Sequence, residues 1–213
     1  MEALDYLHSK RILHRDIKPT NILITKTGEV KLGDFGSAVF ENEKENNQGV
    51  FKPEGFTTWY KAPELLFGDR SYDYQIDIWS VGCVLAEILN GVPLFPGVND
   101  FHQISKISNL LGAPTPENWP DMQRLPDYGK LEFVKSNPKD FKTFFSGTDK
   151  ALIEILQETL KYGRRKSARE ILKCGFFAGG LTAEEVQMAK KLICLAPHLP
   201  KQTEDYKKIF KVG

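Results

Sequence analysis

Apolar positions recur along this chain with two different periods. In "EALDYLHSK", Leu4, Leu7 and His8 fall at helical spacing, which predicts the end of a helix. In "NILITKTGEVKL", two short apolar runs flank "TKTG", so a β-hairpin is expected with Gly28 in its turn. Residues 37–58 show no period and are rich in Glu, Asn and Gly, which reads as a long loop of the functional kind. From Asp77 the pattern turns helical. "DIWSVGCVLAEILNG" is apolar on nearly every face and stops at Gly91, as a buried central helix would. "NDFHQISKISNLLG" is amphipathic, with Phe101, Ile104, Ile107, Leu110 and Leu111 on one side. After the proline-rich "APTPENWP", a further helix sets Leu152, Ile155, Leu156, Thr159 and Leu160 in register. "SAREILKCGFF" reads as one short helix. "LTAEEVQMAKKLICL" opens with a capping box at Thr182 and Glu185 and carries Val186, Ala189 and Ile193 on one face. The predicted fold class is mainly α with a small β-ribbon.

Composition narrows the function without naming it. The chain has 213 residues, 41% apolar and 27% charged, enough for one domain with a substantial core. A formal charge of +1 gives no global field to recruit nucleic acid or an anionic membrane. Cys83, Cys174 and Cys194 lie far apart, with no CxxC spacing, as expected of buried thiols in a reducing compartment. No targeting segment is visible, and "VGCVLAEIL" is interrupted by Glu87 and too short to span a bilayer. A cytoplasmic or nuclear protein is the expectation.

The chemistry concentrates near the start, in "HRDIKPTNIL" and in the "DFG" that follows it. Phosphoryl transfer asks a protein for a proton acceptor, oxygen ligands for Mg²⁺ and positive charge near the moving phosphate. Asp16 can accept or orient a hydroxyl. Lys18 lies on the same side of an extended loop and can reach a terminal phosphate. Asn21 and Asp34 offer an amide oxygen and a carboxylate to one hard cation, from the two ends of the hairpin. Each residue alone fits a surface ion pair or an ordinary turn. The ordered set, with a hairpin inside it, does not.

These motifs resemble the C-terminal lobe of eukaryotic protein kinases. "HRDIKPTN" is similar to the catalytic loop, "DFG" to the metal-binding turn, "APE" at 62–64 to the end of the activation segment, and "DIWSVG" at 77–82 to the central helix. Lys18 after "HRD" resembles the serine/threonine branch. "WYKAPELLFG", "YDYQIDIWSVGCVLAEILNGVPLFPG" and "LLGAPTPENWP" resemble the cyclin-dependent kinases, and "WPDMQRLPDYGKLEF" the cell-cycle-related subgroup. The resemblance implies ATP and Mg²⁺ as cofactors, a protein substrate and a cyclin-like activator of the full-length form. It implies Asp16 as catalytic base, Lys18 as phosphate-stabilising cation, Asn21 and Asp34 as metal ligands and Leu23 as the floor under adenine. His14 and Phe35, followed by Gly36, would sit in the hydrophobic stack of an active kinase. Arg15 would grip an activating phosphate, and Asp77 would anchor the catalytic-loop backbone. Thr57 would bond near Asp16 and Lys18. Glu64 would pair with Arg165, for which Arg164 is a candidate substitute. Residues 1–178 would form the lobe and 179–213 a helical extension.

Three departures qualify the resemblance. The sequence carries no Gly-rich loop, strand lysine or paired helix glutamate, so it reads as a lobe without its N-terminal β-rich partner: a truncated form, inactive alone. The alternative is a non-catalytic, kinase-like interaction module. Ten residues before Ala62, where such kinases carry the activating threonine, stands Lys52, and 38–56 holds no Ser, Thr or Tyr. Glu41, Glu43, Glu45 or Glu54 could act there as a fixed anion. Lys61 stands where the family has Arg, which weakens the expectation of a proline after the target residue.

Overall fold

The computed structural model of the chain describes residues 1–41 and 58–178. In chain order these form α1 (Glu2–Ser9), β1 (Ile12–Leu13), β2 (Ile22–Ile24), β3 (Val30–Leu32), β4 (Val39–Phe40), α2 (Pro63–Leu66), α3 (Gln75–Asn90), α4 (Asp100–Leu111), α5 (Phe141–Phe144), α6 (Lys150–Thr159), α7 (Ala168–Leu172) and α8 (Gly175–Ala178). Single 3₁₀ turns occupy Pro19–Asn21, Thr58–Tyr60 and Pro120–Arg124. Thr57, the 181–195 amphipathic stretch and Cys194 lie outside the described residues, as do Lys52, Glu43, Glu45 and Glu54.

Helix α3 is the axis, and its composition explains why. Ile76, Ile78, Trp79, Cys83, Val84 and Ala86 are all buried, so apolar side chains leave it in every direction. It begins at Gln75, slightly before the expected Asp77, and stops at Gly91. That glycine takes φ 72° and returns its N–H to the Glu87 carbonyl at 2.7 Å, a left-handed cap that a side chain would strain. Helix α6 packs along α3, and α1 packs on α7. Helix α2 rests on α4.

The predicted hairpin is present, with Ile22 opposite Leu32 and Ile24 opposite Val30. A second ribbon was not expected. Val39 and Phe40 pair with Leu13 and Ile12, so the stretch read as pure loop begins with two laddered residues. Two residues are too few to show a period of two, so among the described residues the helices are joined by two small β-ribbons instead of one.

Two helices differ from expectation in detail. Asn99 caps α4 by accepting the His102 N–H at 2.9 Å, and in the resulting register Phe101 is 68% exposed. Gln103 is buried instead. Its side-chain oxygen accepts from Gly97 N at 3.0 Å and its amide donates to the Trp59 carbonyl at 3.0 Å, so its polarity is satisfied inside. "SAREILKCGFF" forms two helices, α7 and α8, broken at Lys173 and Cys174. Ser167 and Glu170 close a reciprocal capping box at the start of α7.

The closeness of α3 and α6 has a mechanical test. A β-carbon on Gly82 would lie 2.6 Å from Thr159 Oγ1 and 2.9 Å from Leu160, both fully buried. Thr159 Oγ1 is itself held by the Ile155 carbonyl at 2.9 Å and cannot swing away freely. Gly82→Ala gains about 1 kcal/mol of helix propensity but overpacks a dense interior at about 1–3 kcal/mol. A lowered thermal midpoint is expected by calorimetry. A raised midpoint would mean that the helices are not in this contact.

Candidate active site

The site is built from the first turn of α3 outward. Asp77 is only 1% exposed, and its carboxylate takes three donors. Arg15 N reaches Oδ1 at 2.8 Å, His14 N reaches Oδ2 at 2.9 Å, and His8 Nε2 from α1 reaches Oδ2 at 3.0 Å. Burying a carboxylate is costly unless donors surround it. Here the donors include two successive backbone N–H groups. Their alignment goes with a left-handed Arg15 at φ 66°, a conformation costing a residue with a side chain about 1–2 kcal/mol. The contribution of His8 was missed in the sequence, where its helical spacing read as packing.

That grip aims the following residues. Asp16 Oδ2 accepts from Lys18 Nζ at 2.9 Å and from Asn21 Nδ2 at 3.0 Å. Asn21 Nδ2 also donates to the Asp16 carbonyl at 2.8 Å, which fixes its amide and leaves Oδ1 as its acceptor atom. The Asn21 carbonyl accepts from Gly33 N at 2.8 Å, so the hairpin ends with Asp34 one residue from that contact. His14 is fully buried. Its Nδ1 accepts from Asp16 N at 3.3 Å, and its Nε2 donates to the Gly33 carbonyl at 3.0 Å. The edge of Phe35 meets the His14 ring at 5.0 Å. Asp34 adopts φ 58°, and its Oδ1 accepts from Gly36 N at 3.3 Å. Asp16, Lys18 and Asn21 are thus bonded to one another, and the Gly33–Asn21 contact brings the Asp34 backbone next to them.

The remaining predicted residues fall around this set. Arg15 reaches the turn after Asp34, with Nε donating to the Ser37 carbonyl at 2.6 Å and Nη1 to the Tyr72 hydroxyl at 2.9 Å. Leu23 on β2 is 55% exposed and Phe35 49%. Glu41 N donates to the Arg11 carbonyl at 2.7 Å. Lys61 Nζ lies 3.1 Å from Asp100 at the start of α4. Beside it the Tyr60 hydroxyl donates to Glu87 at 2.6 Å, and burial, reinforced by that carboxylate, pushes the phenol's pKa upward.

Glu64 and Arg165 meet at the start of α3, beside Gln75 and Trp79. Two guanidinium nitrogens donate to the two carboxylate oxygens, at 2.6 and 3.0 Å. Arg165 is 2% exposed and lies 5.0 Å over the Trp79 ring. Its Nε donates to the Lys161 carbonyl at 3.1 Å. Gln75, not singled out in the sequence, accepts the Arg165 N–H at 2.6 Å. Arg164, the candidate substitute, instead lines a polar cleft with Asp69, Asp73 and Asp121.

The donor set suits a hard cation only in part. Asn21 Oδ1 and the Asp34 carboxylate are oxygen ligands of the kind Mg²⁺ takes, and Mg²⁺ demands about six. Among the described residues no cluster of three or more His, Cys, Asp or Glu could hold a metal. A cation here would need phosphate oxygens and water to complete its shell, which fits a metal carried in with a nucleotide rather than a resident one.

Residues 1–177 match the protein kinase domain family. Among curated proteins the chain is 36% identical over 210 residues to cyclin-dependent kinase 20 of Pongo abelii, covering 92% of this chain and 58% of that protein. It is 36% identical over 199 residues to cyclin-dependent kinase 20 of Homo sapiens, covering 88% and 55%. It is 39% identical over 180 residues to that of Danio rerio, covering 83% and 52%. The chain spans about half the length of these relatives.

The Glu64–Arg165 pair yields a stability prediction. Removing one partner of a buried ion pair leaves a desolvated charge and costs about 3–5 kcal/mol. Glu64→Ala should lower stability by that order in denaturant unfolding. Asp121→Ala, which removes one partner of an exposed pair with Arg124, should cost under about 1 kcal/mol. Equal losses would mean that Arg165 finds full compensation elsewhere.

Proposed function

The chain belongs to the protein kinase family, and from that premise we propose that it carries the phosphoryl-transfer residues of a serine/threonine kinase of the cyclin-dependent type. The observation that carries this reading is the Asp16 carboxylate. Its Oδ2 is occupied by Lys18 and Asn21, which leaves Oδ1 as the oxygen available to an incoming group. Oδ1 would orient a protein hydroxyl and take its proton. Lys18, within reach of the same carboxylate, would place positive charge between the hydroxyl and the phosphate under attack. Asn21 Oδ1 and Asp34 would hold Mg²⁺, and Leu23 would underlie adenine. Bound Mg·ATP would supply the phosphoryl group and offset its negative charge.

The substrate class follows from the family, whose members act on protein hydroxyls. A proline after the target residue is a weaker proposal, since Lys61 with its single ammonium is already drawn to Asp100. A cyclin-like activator of the full-length form is proposed from the names of the relatives. The polypeptide of 213 residues contains no Gly-rich loop or strand lysine to hold the β-phosphate. The motifs it does carry, from Asp16 to Arg165, are the ones expected of a C-terminal lobe.

Three outcomes are expected. In a fusion that places a related kinase's N-terminal lobe before Glu2, Asp16→Asn should lower turnover by about 10²–10⁴-fold. In the same fusion Asp34→Asn should raise the Mg²⁺ concentration needed. Phosphate incorporation into protein near the unsubstituted rate by Asp16→Asn would remove the base assignment. The 213-residue polypeptide alone should be silent. Losing even ~5 kcal/mol of transition-state stabilisation slows a reaction by a few thousandfold. Turnover by the polypeptide at the rate of the fusion would show that its own residues suffice.

A further inference from the structure

Arg15 joins two segments that the reaction must keep in register. Its backbone belongs to the loop bearing Asp16, and its Nε donates to the carbonyl of Ser37 at 2.6 Å. Ser37 lies in the turn that follows Asp34, closed by Ala38 N on the Phe35 carbonyl at 3.0 Å and by Gly36 N on Asp34 Oδ1 at 3.3 Å. The Arg15 side chain is therefore a strut between the Asp16 loop and the Asp34 turn. A long flexible side chain makes a poor strut unless its far end is fixed. That end, Nη1, donates to the hydroxyl of Tyr72 at 2.9 Å. Tyr72 is 8% exposed and stands just before α3, in the stretch that also supplies Asp77.

We propose that Tyr72 is a positioning residue for phosphoryl transfer: its hydroxyl fixes the Arg15 guanidinium, which holds the Asp34 turn against Asp16. The inference rests on the roles proposed above for Asp16 and Asp34. Because a guanidinium is planar, anchoring Nη1 also sets the direction of Nε, so one hydroxyl orients the whole fork. Asp77 fixes the backbone of Arg15 and Tyr72 fixes its head, and both come from one short segment of chain. The anchor is neutral and genetically encoded. It needs no added phosphate, in a chain whose residues 38–56 contain no Ser, Thr or Tyr. A ring that merely filled the core would make no use of its hydroxyl, and this separates the two roles.

Tyr72→Phe keeps the ring and removes only the hydroxyl. Two measurements test it. In the 213-residue chain, hydrogen exchange at Gly36 and Ala38 should quicken while the amides of α3 and α6 keep their protection. In the fusion with an N-terminal lobe, kcat should fall about tenfold, the scale of one charge-assisted hydrogen bond. The Mg²⁺ requirement should rise and KM for ATP stay near its starting value. Tyr128→Phe, at an exposed tyrosine, should change neither. Unchanged exchange at Gly36 and Ala38 together with unchanged kcat would overturn the proposal. So would a uniform loss of protection across the fold, the mark of a packing role. If Asp16→Asn were to keep full turnover, the catalytic reading would fall by itself, and exchange would still decide whether Tyr72 holds the turn.

Discussion

A single buried carboxylate organises this molecule. Asp77 sits in the first turn of the most buried helix, and it spends its oxygens on the N–H groups of His14 and Arg15 and on His8. Three donors offset the desolvation of one charge, and in return the charge dictates where the loop runs. Without that acceptor, two buried backbone donors would lose their partner, and the left-handed Arg15 would lose what holds it. Everything proposed about chemistry follows in sequence from these contacts: His14 turned onto Gly33, Asp16 bonded to Lys18 and Asn21, and Arg15 turned toward Ser37 and Tyr72. The helix provides the acceptor and the loop carries the residues proposed for chemistry, and one side chain joins them.

Much of this was legible in the sequence because the signals were strong and local. The all-round apolar pattern of α3, its glycine stop and the hairpin turn at Gly28 each follow from backbone sterics or burial, which a short window reveals. Long-range polar partners are different. Gln103 looks like a solvent residue on an amphipathic helix, yet it is buried because the Trp59 carbonyl and the Gly97 N–H wait for it. Phe101 looks like core and is exposed, because Asn99 sets where the helix begins. The β1–β4 pairing joins residues too few to show alternation. In each case the missing information is the identity of a partner many positions away.

The candidate site divides along the same line. Asp16, Lys18, Asn21 and Asp34 stand close together in sequence and read as a set. His8, Tyr72 and Gln75 support the buried contacts from other elements, and nothing in their spacing marks them. Glu64 and Arg165 lie between these cases. They are 101 positions apart but meet in a bidentate contact that Gln75 and Trp79 surround. Supporting residues of this type are chosen by geometry rather than by reactivity. A histidine, a tyrosine or a glutamine each supplies one polar atom at one place, so their residue types alone carry little warning.

The surface above the site reverses the usual distribution of polarity. Beneath it lies a buried polar network, whereas Leu23 on the hairpin and Phe35 beside it are about half exposed. Apolar groups gathered at a rim gain by being covered, and ionic groups beneath them gain as well, because interactions such as Lys18 with Asp16 strengthen when water leaves. Under the proposed function both effects act in the same direction. A nucleotide base laid on Leu23, or a second body closed over the hairpin, would bury apolar surface and lower the local dielectric at the Asp16 carboxylate in one step. Under the proposed function the contacts of Asp77 contribute little to that step directly: they would keep Asp16, Lys18, Asn21 and Asp34 placed beforehand, so that covering the hairpin need not assemble them.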